Sequence, residues 1–514
     1  MLKSSGAVGA ATLTSRVFGL VREIVFARFM GDSWVASAFI MAFMIPNLFR
    51  RLLGEGALTA AFIPVFKEKE KLQGEAQMWS AANAVISALT AVTAGVVIVA
   101  VLVITGILKI GIPDEKTVLM LELLRLMFPY LLLVCLAAVC IGILNARGYF
   151  FVPALGTTFL NLIMIGSVIF LAPRMGERLD QQVFGLAIGV LAAGLVQMAF
   201  QLPLLNREGF RYQWISPWSN DTVHRVATQM GPAILGVAAY QINVLVTQSF
   251  AFWTGKEIVA SFNYAVRLME LPQGLFGISL ATYLLPTLSG LAAEKKYPEF
   301  RATLQQSVGY LIFINLLASI LLFTLAEPII RLLFERGRFD GAATIRAASA
   351  LVWLAPGLVA FSLVNILARG FYALGDTKTP MRISAFCLVV NVLLVATLIW
   401  RLRQAGLGLA NTLSGCVNVA LLIFALRKKL GKLEWTAVRT QLPALLGAGI
   451  VAGAAAFGLR VWWTNALGHS TLPLKLGEVF VPMILASAIY LGLGFWLKVP
   501  FVKDLVAMVR SRLV

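Results

Sequence analysis

A chain of 514 residues that is 59% apolar and only 13% charged, with a mean hydropathy of +0.86, lies far outside the composition of water-soluble domains. It reads as an all-α polytopic membrane protein. The net charge of +19 comes from lysines and arginines scattered among short loops, which excludes a basic nucleic-acid-binding domain.

About fourteen apolar windows follow one another, each roughly 20 residues and long enough to cross a ~30 Å hydrocarbon core. The first, 6–29, is not a cleaved signal, because Arg16 interrupts the apolar run before any small-residue cleavage site. Within it Arg16 and Glu23 share a helix face, Arg22 is displaced by about 100° from Glu23, and Gly9 and Gly19 favour a bend. An arginine at mid-span costs roughly 2.5–3.5 kcal/mol, so such a residue is expected to face a wet cavity. The second window, 33–53, ends Pro46-Asn47-Leu48-Phe49-Arg50-Arg51, with Glu55 beyond it, four positions after Arg51 and able to pair with it. Arg50 and Arg51 sit at the membrane boundary. The alternating run Lys67 to Lys71 reads as a solvated helix face. Windows three to six are 80–108, 118–145, 152–172 and 182–204, and Glu122 with Arg125 forms an expected pair in the fourth.

The seventh window, 229–252, opens with Met230-Gly231-Pro232-Ala233. The eighth, 259–288, contains Arg267-Leu268-Met269-Glu270-Leu271-Pro272. Arg267 and Glu270 can pair on one helix face, and Pro272 with Gly274 loosens the backbone, as expected of a discontinuous helix at a transport site. The remaining windows are 306–326, 345–368, 381–400, 405–426, 440–463 and 475–497. The tail 500–514 then places Phe501, Val502, Leu505, Val506, Val509 and Leu513 at helical spacing, as in a helix lying on a membrane face. Loops on the side of the two termini hold the larger share of the 43 Lys and Arg residues, which puts both termini in the cytoplasm. Arg331, Arg336 and Arg338 fall on the opposite side.

The chain repeats itself at an offset of roughly 225 residues. Pro129 precedes an apolar run ending Asn145-Ala146-Arg147-Gly148, then Pro153 and Asn161. Pro356 precedes a run ending Leu367-Ala368-Arg369-Gly370, then Pro380 and Asn391. Pro46 and Pro64 correspond in the same way to Pro272 and Pro286. The organisation expected is an N-terminal six-helix lobe at 1–222, a pseudo-symmetric C-terminal lobe at 223–430, and two extra spans with the tail at 431–514. An even number of spans per repeat makes the halves parallel, a design whose substrate site lies between them near the midplane.

Chemistry-bearing motifs are otherwise few. Cys135, Cys140, Cys387 and Cys416 all fall in spans, where they act as small apolar residues. His224 and His469 are too far apart for metal-ligand spacing. No phosphate loop, HExxH or GxSxG occurs, so neither a catalytic centre nor a cofactor or metal is expected. What stands out is intramembrane arginine, whose planar fork suits phosphate oxygens. Set against Glu23 and Glu270, the arginines Arg16, Arg22 and Arg267 leave net positive charge. The expected cargo is an anion of the phosphate or diphosphate type.

The stretch Ser15 to Glu23, the Pro46-Asn47-Leu48-Phe49-Arg50-Arg51 motif with Glu55-Gly56-Ala57, Met230-Gly231-Pro232-Ala233, and Arg267 to Pro272 with Leu285-Pro286 together resemble the MurJ/MviN family. Its members are bacterial lipid II flippases of the multidrug/oligosaccharidyl-lipid/polysaccharide exporter superfamily. The resemblance spans essentially the whole chain. It implies two six-helix lobes, two further helices bordering a groove for a polyprenyl tail, and location in the bacterial inner membrane. It also implies a diphosphate site at Arg16, Arg22, Arg50 and Arg267 with Glu23 as acidic partner, and helix-break or gating positions at Gly19, Pro46, Asn47, Glu55, Glu270 and Pro272. The partners implied are lipid II and the bilayer, with a monomer expected. The sequence departs from relatives at Ser37 and Val266, where an Asp is common, and at Met44, where a Lys is. Spans seven and eleven carry no carboxylate for the sodium ion some relatives bind. Rival readings are a flippase for another polyprenyl-diphosphate oligosaccharide, a membrane glycosyltransferase and a channel. The glycosyltransferase would need a catalytic acid in a long outer loop, whereas Asp114, Glu115 and Asp340 are far apart in sequence.

Overall fold

A computed structural model describes residues 2–54, 57–111, 114–218, 220–431 and 436–499. Glu55 and the amphipathic tail 500–514 lie outside them. The described residues contain no strand. In chain order the helices are α1 (Leu2–Met30), α2 (Trp34–Phe49), α3 (Ala57–Gln73), α4 (Glu75–Ile110), α5 (Glu115–Met127), α6 (Tyr130–Ala146), α7 (Phe151–Gly166), α8 (Leu179–Ala199), α9 (Leu202–Arg207) and α10 (Asp221–Thr254). They continue with α11 (Ile258–Pro272), α12 (Ser279–Ala293), α13 (Tyr297–Thr324), α14 (Ala326–Phe334), α15 (Gly341–Leu354), α16 (Gly357–Ala373), α17 (Lys378–Leu430), α18 (Thr436–Ala466) and α19 (Leu472–Trp496). Two compact units divide the chain, Met1–Phe252 and Trp253–Val514.

Eight of these helical stretches are long and apolar enough to cross a bilayer singly, and two more do so as bent pairs, α5 with α6 and α15 with α16. The stretch 378–430 holds two expected spans, joined at Arg403, whose φ of 51° breaks the helix. The other expected spans fall on α1, α10 and α11 with α12. Arg16 and Arg22 stand on α1 and Arg267 on α11. Elsewhere the large apolar side chains face outward, as a lipid-facing surface requires: Leu102, Ile110, Trp400 and Ile450 are exposed.

The sequence repeat reappears as geometry within each unit. Pro129 bends α5 against α6 by 43°, and Pro356 bends α15 against α16 by 47°, because proline lacks the N–H that would continue the ladder. Each unit also has a π turn after a landmark proline, Arg50–Gly54 following Pro46 and Gln273–Ile278 following Pro272. Such turns insert one extra residue into a helix and recur at functional sites.

In the first unit α1 packs along α7, α2 along α5, and α8 against α6 and α7. An aromatic chain runs through it from Phe26 to Phe39, Phe43 and Tyr130, at ring separations of 6.0 Å. At Gly185 the backbones of α8 and the preceding turn almost touch, since a Cβ would lie 2.8 Å from the Ala172 N and Cα. Gly185→Val is expected to cost roughly 1–3 kcal/mol, read as a lowered thermal midpoint in detergent.

The Lys67–Lys71 run is not the solvated face expected from its alternation, because its carboxylates face arginines of other segments. Glu70 pairs with Arg147 at 2.6 Å, and Glu68 takes both terminal nitrogens of Arg225 at 2.8 and 2.7 Å. Arg147 also reaches Glu208 at 2.9 Å and Glu75 at 3.2 Å. Hydrogen bonds from Lys67 and Arg147 hold the Glu70 carboxyl below its usual range, and those from Tyr149 and Arg147 do the same to Glu208. A carboxylate lowered in the folded state stabilises it above the unfolded value of about 4.3 and loses that contribution as pH falls through the lower folded value. Arg147→Ala should thus lower the thermal midpoint at neutral pH, with the gap to the parent closing below about pH 4.

In the second unit α11 packs on α15, α17 on α15 and α16, and the extra helices α18 and α19 on α13 and α14. Tyr490 of α19 is buried, donates its hydroxyl to the Phe313 carbonyl at 3.0 Å, and stacks on the Phe313 ring at 5.5 Å. Arg331, misplaced by the charge-asymmetry rule, lies buried in an ion-pair network: Glu478 at 2.9 Å, Glu335 at 3.5 Å, and Glu327. Arg460 of α18 also binds Glu327, and Lys475 binds Glu335 at 3.2 Å. Through Glu478 the Arg331 guanidinium ties α14 to α19.

Candidate functional site

The polar face of α1 is built by spacing. Ser15, Gly19 and Arg22 follow one another at intervals of four and three, so they line one side of the helix, while Thr157 and Asn161 are one turn apart on α7. The two stripes meet. The Ser15 hydroxyl donates to Thr157 Oγ1 at 2.8 Å, Asn161 Nδ2 donates to the Ser15 carbonyl at 3.1 Å, and Arg22 Nη1 donates to Asn161 Oδ1 at 3.0 Å. α1 runs through Gly19 as a continuous helix, and a Cβ there would lie 3.6 Å from Asn161 Nδ2, in ordinary contact with the amide.

Arg22 has a second anchor in Glu23, whose Oε1 accepts from Nη2 at 2.6 Å. Adjacent helix positions ordinarily do not face each other, and helix-face geometry had set Glu23 with Arg16. The long arginine side chain closes the offset, and its guanidinium comes to rest 5.6 Å from the Phe26 ring centre. Only 15% of the Arg22 side chain is exposed. Its Nε–H is buried and meets no acceptor among the described residues. Arg16 is exposed and has no ion-pair or hydrogen-bond partner among the described residues. With Arg22 and Glu23 compensating, Arg16 leaves this face of α1 net positive.

Arg50 opens the π turn after α2, half-buried, and its Nε donates to Asn47 Oδ1 at 3.2 Å while Asn47 Nδ2 holds the Phe43 carbonyl at 3.0 Å. Asn47 is thus the support of Arg50. Pro46 is buried inside α2 without ending it. In the second unit Arg267 Nη1 pairs with Glu270 Oε2 at 2.9 Å, the side chains being 40% and 49% exposed. Pro272 closes α11, and the π turn begins at the next residue. The Glu122–Arg125 pair does not form: Arg125 is exposed, and Glu122 turns toward a cavity of about 410 Å³ between α2, α5 and α8 with Trp34, Phe184 and Arg178. Among the described residues no group of three or more His, Cys, Asp or Glu could hold a metal.

Sequence reasoning used Asn161 only as a repeat landmark. The signal that could have found it is a polar residue standing alone in an apolar span, with Thr157 one turn before.

Apolar helices throughout, duplicated proline breaks and arginines held within the spans define a multi-pass membrane transporter. The family described as "Lipid II flippase MurJ" matches residues 26–477, and the chain belongs to it. It is similar to the "Probable lipid II flippase MurJ" of Rhizobium tropici, at 34% identity over 96% of this chain and 94% of that one. It is also similar to the "Lipid II flippase MurJ" of Burkholderia cenocepacia, at 33% identity over 95% of each chain. Among solved structures, "Lipid II flippase MurJ, inward closed conformation" has the same fold, with a TM-score of 0.77 at 21% identity over 97% of this chain and 99% of that one. An inward-facing multidrug resistance MATE family transporter of the MOP superfamily shares it at a TM-score of 0.67 and 15% identity over 82% and 95%.

Proposed function

We propose that this protein moves lipid II from the cytoplasmic to the outer leaflet of the inner membrane by alternating access, both termini facing the cytoplasm. Arg16, Arg22, Arg50 and Arg267 take the diphosphate, and no bond is made or broken. The observation that carries this reading is Arg22, a guanidinium on α1 anchored through one proton of each terminal nitrogen by Asn161 and Glu23. Arg16 adds uncompensated charge on the same helix, and Arg267 stands half-exposed beside a break in its own.

With an inside-negative potential, carrying net negative charge outward is downhill by ~2.3 kcal/mol per charge per 100 mV. The emptied cationic site is drawn back by the same field, so the potential drives both half-cycles. The test is lipid II flipping in proteoliposomes at set potentials. Arg16→Ala and Arg267→Ala should each slow flipping, and the parent should speed up as the interior-negative potential grows. Undiminished transport in both variants would exclude the diphosphate role, and a rate blind to potential would exclude the electrical drive. Complementation of a peptidoglycan-precursor defect separates lipid II from other polyprenyl-diphosphate oligosaccharides.

A further inference from the structure

We infer that Asn161 is a positioning residue for the transported substrate, holding the Arg22 guanidinium in its binding pose without cancelling its charge. The inference rests on the diphosphate reading above and adds a residue to that site.

An arginine side chain has about 2 kcal/mol of rotamer freedom to lose before it can present a fixed fork. Two anchors remove that freedom here, one on each terminal nitrogen. Glu23 is charged and offsets the guanidinium. Asn161 is neutral, so its Oδ1 fixes Nη1 at 3.0 Å and leaves the electrostatics to the ligand. The amide is itself immobilised, because its Nδ2 donates to the Ser15 carbonyl on the same α1 face. That bond also decides which end of the amide meets Arg22, since only the oxygen can accept from a guanidinium. One turn earlier Thr157 grips the Ser15 hydroxyl at 2.8 Å, and Gly19 stands against the amide. With one proton of each terminal nitrogen committed, the second proton of each remains to donate to a phosphate oxygen. An aspartate at 161 would keep an acceptor for Arg22 but neutralise it and give up the bond to the Ser15 carbonyl; an alanine would leave it charged and loose.

The experiment compares lipid II flipping by the parent, Asn161→Ala, Asn161→Asp, Arg22→Ala and the double variant Arg22→Ala/Asn161→Ala, as rate against lipid II content. Each protein is first shown monodisperse with a parental thermal midpoint. Asn161→Ala should raise the apparent KM about tenfold, the scale of one hydrogen bond to a charged group, with turnover nearly unchanged. Asn161→Asp, almost the same size, should lose at least as much despite keeping an acceptor. In the Arg22→Ala background the second substitution should add nothing.

A parental KM in Asn161→Ala, an active Asn161→Asp, or losses that multiply in the double variant would each overturn the assignment. If Asn161→Ala does not fold, the nearly isosteric Asn161→Asp decides alone. If Arg22→Ala itself flips at the parental rate, the diphosphate reading fails; if Arg22→Ala fails and Asn161→Ala is parental, only the role of Asn161 does.

Discussion

Arg22→Ala is expected to cut lipid II flipping by about a hundredfold, the largest loss among the arginine variants. A hydrogen bond to a charged group contributes about 1.5–3 kcal/mol, so losing a two-pronged grip on a diphosphate corresponds to roughly 3 kcal/mol, or ~10² in rate. The local positive charge is also lost, since Glu23, 6% exposed and bound to Arg22, would then offset Arg16 and repel the ligand. Arg22→Lys keeps the charge but not the planar fork, and an ammonium serving Asn161 and Glu23 would have a single N–H left for the ligand. It should fall between parent and alanine. Rates in sealed proteoliposomes check both, and an Arg22→Lys variant indistinguishable from the parent would show that charge alone is read.

The second large effect is on stability. Arg331→Ala should destabilise the protein by about 3–5 kcal/mol, because removing one partner of a buried ion pair leaves uncompensated charge behind. The carboxylates left facing one another are Glu478, 1% exposed, with Glu327 and Glu335. Arg460 and Lys475 still hold the last two, so Glu478 bears most of the penalty. Replacing the pair together, Arg331→Met with Glu478→Leu, should recover most of the loss, since apolar substitutes for buried ion pairs are often neutral or better. Chemical unfolding in micelles measures both. A single variant as stable as the parent would mean that the network is not what docks α19.

Much of the fold was legible because its signals are local. Apolar windows mark the spans, and the prolines at 129 and 356 mark the bends seen beside them. Arg16, Arg22 and Arg267 announce themselves as charges in apolar runs. What could not be read depends on distance along the chain. Asn161 meets Arg22 across 139 positions and Arg331 meets Glu478 across 147, and nothing in either neighbourhood names the partner. Arg331 therefore looked like a topological misfit. Glu68 and Glu70 looked solvated for the same reason, their arginines belonging to other segments. The prolines at 46 and 272 marked the irregular backbone that follows them, though not its form as π turns at Arg50 and Gln273. That Gly19 stands against an amide of α7, 3.6 Å from where its Cβ would lie, was equally out of reach of the local sequence.

The polarity of α1 also bears on how the chain is assembled. Arg16, Arg22 and Glu23 carry an insertion penalty of roughly 2.5–3.5 kcal/mol each at the centre of a span, so α1 is a reluctant lodger in lipid by itself. Its relief comes from hydroxyl and amide groups on α7, which leave the ribosome well over a hundred residues later. α1 and α7 must both be in the membrane before the polar stripe they share is complete.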